Sequence, residues 1–125
     1  MHHSILIYQI IPTSFLCALI NSDDTIAGQF FAAKHCKTQG LTDFHVLVAE
    51  LDSETYEWSG DWDEVFESTQ HIHEDWTSQP FVKRLSTRIA STSVGDIFVE
   101  IDSRGNWLQA VRVENMGFSE VKIRE

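Results

Sequence analysis

The chain has 125 residues, 42% of them hydrophobic, and a formal net charge of -10. This length and composition describe one domain, 1–125, that buries roughly two-thirds of its unfolded surface, and they exclude a disordered chain. The shortage of Lys and Arg excludes ordinary binding to a nucleic-acid backbone, which needs clustered cations, so no direct nucleic-acid partner is expected.

Residues 4–11 form a nearly continuous apolar run ended by Pro12, which predicts a strand buried on both faces. The wider stretch 5–20 is largely apolar and without Lys or Arg, like the apolar part of a secretion signal. Gln9, Pro12, Thr13 and Ser14 interrupt it, however, and no basic segment precedes it. Neither a signal peptide nor a membrane span is expected. The two cysteines, Cys17 and Cys36, are read as buried reduced thiols, which points to a cytoplasmic protein.

Residues 15–20 fit either a short strand or a helical turn. Asn21, Ser22, Asp23 and Asp24 then offer caps for a helix over 24–37, with Ile26, Ala27, Phe30, Phe31 and Ala33 near its buried stripe and Gly40 beyond its end. Residues 44–51 predict a second strand, and Tyr56-Glu57-Trp58 a shorter one placed to pair with it across the turn at 52–55. Asp61 caps a second helix over 61–71, with Glu64 placed as in a capping box and Trp62, Val65, Phe66 and Thr69 at helical spacing. Residues 73–80 read as polar connection, and 81–85 as a helical turn or loop.

Val94-Gly95-Asp96 feeds the β-branched and aromatic run 97–101, a Gly105-containing turn follows, and 107–113 returns, so 96–113 predicts a β-hairpin. The expected fold is α+β: an antiparallel or mixed sheet from strands near 4–11, 44–51, 97–101 and 107–113, with both helices on one face. Its core is expected to hold Ile5, Ile7, Phe30, Val46, Val48, Val65, Phe66, Ile97, Val99, Leu108 and Val111.

Tyr56 to Asp61, then 63–72, then Trp76 and Pro80, then Ser91-Thr92-Ser93-Val94-Gly95-Asp96-Ile97, and finally Gly117-Phe118-Ser119-Glu120-Val121 stand in an order and spacing that resembles the YodL-like group of small proteins carried by bacteria, phages and plasmids. The resemblance covers about 44–123. It implies an α+β accessory domain encoded by mobile elements or their hosts, and it carries over no catalytic residue. The N-terminal apolar stretch and the helix at 24–37 have no counterpart in it.

Residues 38–82 hold eleven acids and no Lys or Arg, while the other eighty residues hold eight acids and nine bases. Such a one-signed field either keeps a surface solvated or steers association with a basic partner, presenting carboxylates where that partner expects phosphates. Three tryptophans lie among the acids and are suited to anchor an interface. The expected binding set is Glu57, Trp58, Asp61, Trp62, Asp63, Glu64, Glu67, Glu74, Asp75 and Trp76. An unidentified basic protein is the expected partner, and self-association through the same aromatics is the alternative.

Other chemistry is weaker. His71, His73, Glu74 and Asp75 combine imidazole and carboxylate on one short segment, the donor set of a Zn or Mn site and the basis of an alternative metal-dependent enzyme. No second pair of ligands accompanies them. The neighbours His35 and Cys36 do not converge as base and nucleophile, and Ser86, Ser91 and Ser93 lie in no nucleophile elbow. Lys83, Arg84 and Arg88 form the basic cluster on which a small nucleic-acid-binding domain would have to rely. The chain reads as a non-enzymatic protein with no cofactor.

Overall fold

The structure, a computed structural model, describes residues 3–10, 14–35, 41–42, 44–52, 54–56, 58–71, 75–87 and 89–121. Its strands are β1 (Ser4–Ile10), β2 (His45–Leu51), β3 (Val82–Arg84), β4 (Ile97–Ile101), β5 (Trp107–Val113) and β6 (Phe118–Glu120). The helices are α1 (Ser14–Ser22), α2 (Asp24–His35) and α3 (Trp62–Ser68), with a 3-10 turn at Trp76–Ser78. The strands form one sheet in the order β3-β2-β1-β4-β5-β6, with every neighbouring pair antiparallel. β1 sits inside this sheet because its apolar run has partners on both edges, β2 and β4.

Alternation along β1 sends Ile5, Ile7 and Gln9 to one face and Leu6 and Tyr8 to the other. On the first face Ile5 and Ile7 pack with Leu51, Phe98, Val111 and Val113, and Val65 of α3 and Trp76 of the 3-10 turn join them. On the opposite face Ile97, Val99, Ile101, Ala110 and Val121 cluster, with Leu6, Tyr8 and Trp107 against them. Arg112 points the same way, opposite Ile97 in the ladder, and its Nη2 donates to the Ala33 carbonyl of α2 at 3.3 Å. Helices therefore lie on both faces, not on one as the sequence suggested: α3 on the first, and α2, through this contact, on the second.

Two bulges set which residues are buried. Between Ile7 and Tyr8 the register skips Val48, so Val48 and Ala49 both reach the first core. Between Glu100 and Ile101 it skips Leu108, which stands outside the ladder and is 43% exposed. Val46, 44% exposed, lies on the half of β2 that β3 does not pair with. These two expected core residues are thus on the surface, and Phe30 and Phe66 are only half-buried.

Other expectations change as well. Residues 15–20 fall within α1, and Asp23 links it to α2: its N–H bonds Leu19, while its carboxylate caps α2 through the N–H groups of Thr25 and Ile26. Neither Tyr56 nor Trp58 lies in a strand, and Glu57 between them is outside the described residues; β2 pairs instead with β3, from a stretch read as a helical turn or loop. The hairpin of β4 and β5 forms, and β6 extends it by one more strand. Its turn is closed by Asp102, whose carboxylate accepts N–H groups of Arg104 and Asn106, with Gly105 at φ 83°. Cys17 is exposed, not buried; Cys36 lies outside the described residues.

Candidate functional site

α3 begins where Asp61 turns into the helix, its carboxylate accepting the Asp63 N–H at 3.0 Å. Glu64 does not complete a capping box; it accepts the Ser59 hydroxyl at 2.6 Å. Asp63 and Glu67 project from the helix into solvent, as Asp61 does from the cap. Among the described residues, none of Asp61, Asp63, Glu64 and Glu67 forms an ion pair; the pairs present are His3–Glu100, His71–Asp75, Arg84–Asp75 and Arg112–Glu114.

The tryptophans serve mainly to fasten this acidic face to the sheet. Trp58 and Trp62 pack ring to ring with centroids 4.6 Å apart, and Trp62 stacks at 6.0 Å on the core ring Phe98. The Trp58 indole N–H donates to the Asp61 carbonyl. Both tryptophans remain half-buried. Trp76 differs: it is 1% exposed and its indole N–H donates to the Ala90 carbonyl at 2.7 Å. It is a core residue and not a surface anchor. A tryptophan next to Glu74 and Asp75 reads as superficial, but the 3-10 turn capped by Asp75 rotates it inward.

Asp75 is exposed, and its carboxyl is held below the usual range chiefly by the Thr77 hydroxyl and then by the Thr77 N–H, with His71 and Arg84 adding charge. The His71 Nδ1 accepts the Trp76 N–H, and its Nε2 lies 3.5 Å from the Ile89 carbonyl. Among the described residues no group of three or more His, Cys, Asp and Glu is placed to hold a metal ion. His73 and Glu74 lie outside the described residues, as do Glu57 and Arg88. Of the basic cluster, Lys83 and Arg84 stand on β3, and the Arg84 guanidinium is taken up by the Ser86 and Thr87 carbonyls.

Beside the acidic helix a cleft of about 350 Å³ opens between α3 and the turn joining β5 to β6. Asp63 and Phe66 line it from α3, residues 92–94 from the segment before β4, and Val113, Glu114 and Phe118 from the turn and its strands. Among the described residues its carboxylates are Asp63 and Glu114, and no Lys or Arg lines it. Glu114 accepts Arg112 Nη1 at 2.5 Å and the Ser119 hydroxyl at 2.6 Å, which holds the turn against the sheet.

A buried polar chain holds the cleft segment in place. The Thr92 hydroxyl donates to the Thr69 hydroxyl at 2.7 Å, that hydroxyl donates to the Val65 carbonyl, and the Gln70 amide donates to the Thr92 carbonyl. Gln9 bonds both backbone groups of Ala90 in the same segment. Sequence reasoning missed this cleft because its residues come from three separated stretches. The one local signal was Gly117, which turns the chain at φ 79° just before Phe118.

Comparison with protein-family models, curated proteins and solved structures finds no match to this chain.

Proposed function

We propose that this chain is a non-enzymatic interaction protein that docks its acidic α3 face on a basic protein. The observation that carries this reading is the set of four carboxylates, Asp61, Asp63, Glu64 and Glu67, that has no ion-pair partner among the described residues. Folding does not require that arrangement, since the helix needs only one cap and the core is supplied by Val65, Trp62 and Phe66. A surface of uncompensated charge raises the encounter rate with an oppositely charged surface. The half-buried residues Trp58 and Trp62 add apolar contact area within the same face.

The resemblance to the YodL-like group supports a phage, plasmid or similar element as the source. Among the described residues no helix is long and apolar enough to cross a membrane. In such a setting the face acts by presenting carboxylates to a host or viral protein that ordinarily holds phosphates, as in counter-defence.

The test is affinity capture from the native host with the parent and with the double variant Asp63→Lys/Glu67→Lys. Asp61 is spared because it caps α3. The expected outcome is capture of a basic protein that weakens as salt is raised and is lost with the variant. Equal capture by both forms, with the same salt dependence, would mean that the acidic face is only a solvated surface.

A further inference from the structure

We propose that the cleft between α3 and the β5–β6 turn receives a single arginine or lysine side chain of the basic partner, so that one inserted cation fixes the register of a contact that the acidic field only attracts. This rests on the reading of the α3 face as a docking surface.

Three features select that occupant. At about 350 Å³ the cleft matches the small end of specific binding pockets and suits one long side chain better than a folded segment. Its lining combines Phe66, Val94, Val113 and Phe118 with Asp63 and Glu114. An apolar lining with carboxylates matches a side chain whose stem is hydrocarbon and whose tip is a cation. Phe66 and Phe118 add aromatic area to the same lining.

The charge balance also points to a cation. Glu114 is already bonded to the buried Arg112, whose side chain is 1% exposed, so that pair is close to neutral. Asp63 is exposed and has no ion pair among the described residues. An anion would meet Asp63 with the field of Asp61, Glu64 and Glu67 behind it. A neutral apolar side chain would leave that carboxylate unused.

The cleft is also built before any partner arrives. Thr69, Gln70 and Gln9 hold the segment 90–92 by hydrogen bonds, and Ser119 and Arg112 hold Glu114. Preorganisation of this kind lowers the ordering cost of binding.

The test is a titration of the nitrogen-15-labelled full chain, followed by NMR, with acetyl-Gly-Arg-Gly-amide and with its neutral isostere acetyl-Gly-citrulline-Gly-amide. Saturable shifts confined to amides of Ser93, Val94, Asn115 and Gly117 are expected for the arginine peptide, with about fivefold weaker binding for the citrulline peptide. Ser93→Trp, at an exposed position lining the cleft, should abolish the shifts without altering the charge. Asn115→Trp is the second blocking variant, should the first disturb the fold. Equal binding of the two peptides, shifts spread over the α3 acids instead of the cleft, or full binding by a folded blocked variant would each overturn the proposal. Lysate capture separates the two readings. If Ser93→Trp keeps the partner while Asp63→Lys/Glu67→Lys loses it, the cleft assignment fails and the acidic face stands.

Discussion

Gln9 is 1% exposed, and its amide donates to the Ala90 carbonyl at 2.8 Å while accepting the Ala90 N–H at 3.1 Å, so a side chain does what a neighbouring strand would do. Replacing it with leucine keeps the apolar volume but removes both bonds to Ala90, each worth about 1 kcal/mol. Gln9→Leu is therefore expected to lower the unfolding free energy by about 2 kcal/mol, read from urea denaturation. His45 is the second residue whose chemistry is set by its surroundings. Its Nδ1 accepts the Thr42 N–H at 3.0 Å, so Nε2 carries the proton that it donates to the Gly95 carbonyl at 2.7 Å. Burial lowers its pKa and nearby Arg112 lowers it further, against the opposing effect of the Gly95 bond. The unfolded chain then binds this proton more readily than the folded one. His45 thus contributes stability that is complete above about pH 6.5 and is lost as the pH falls below that value toward its folded pKa. Denaturation at pH 7.5 and 5.0 should show a smaller acid loss in His45→Gln than in the parent; equal losses would exclude His45 as the source. Gln9 and Arg112 show what was hard to read at this scale. Both sit in strands buried on two faces, where period-2 alternation no longer tells inward from outward, so a polar residue there looks the same whether bonded in the core or solvated.

Among the elements, those with a strong local pattern were legible: β1, β2, β4 and β5 from apolar β-branched runs, α2 and α3 from caps and helical spacing. The elements that depend on distant partners were not. β3 and β6 are three residues long each, and only pairing with β2 and β5 makes them strands. The apolar residues around Tyr56 fit a strand, but Tyr56 packs on Phe81 at 4.7 Å and closes the first core instead. The 3-10 turn shows how far position overrides composition, because it places Trp76 inside although acids precede it. If Trp76 is a core residue, shortening it creates a cavity, and Trp76→Ala should cost about 3–5 kcal/mol. Trp76→Phe, which keeps most of the ring but loses the bond to the Ala90 carbonyl, should cost clearly less. A surface anchor would give small and similar losses for both, so the ratio between the two variants decides.

Across the whole molecule, the layout of charge was visible in the sequence, and the cleft beside it was not, because charge is counted residue by residue whereas a cleft exists only once α3, the 92–94 segment and the β5–β6 turn are brought together. The structure adds an energetic asymmetry to that layout. Asp61 and Asp63 lie at the start of α3, where carboxylates are favoured by the helix dipole, but Glu67 lies in its last turn, where they are not. Glu67 also stands four residues from Asp63, and a like-charged pair at that spacing costs a helix about 0.2–0.5 kcal/mol. Reversing this one charge removes the repulsion and puts a cation at the favourable end. Glu67→Lys is thus expected to stabilise the fold by about 0.5 kcal/mol in low salt, an advantage that shrinks as salt screens it. The same change should weaken capture of the basic partner, so stability and binding move in opposite directions. Thermal unfolding and partner capture, measured on the same Glu67→Lys preparation across a salt series, check both halves. A variant that is more stable and still binds as the parent does would separate Glu67 from the docking face.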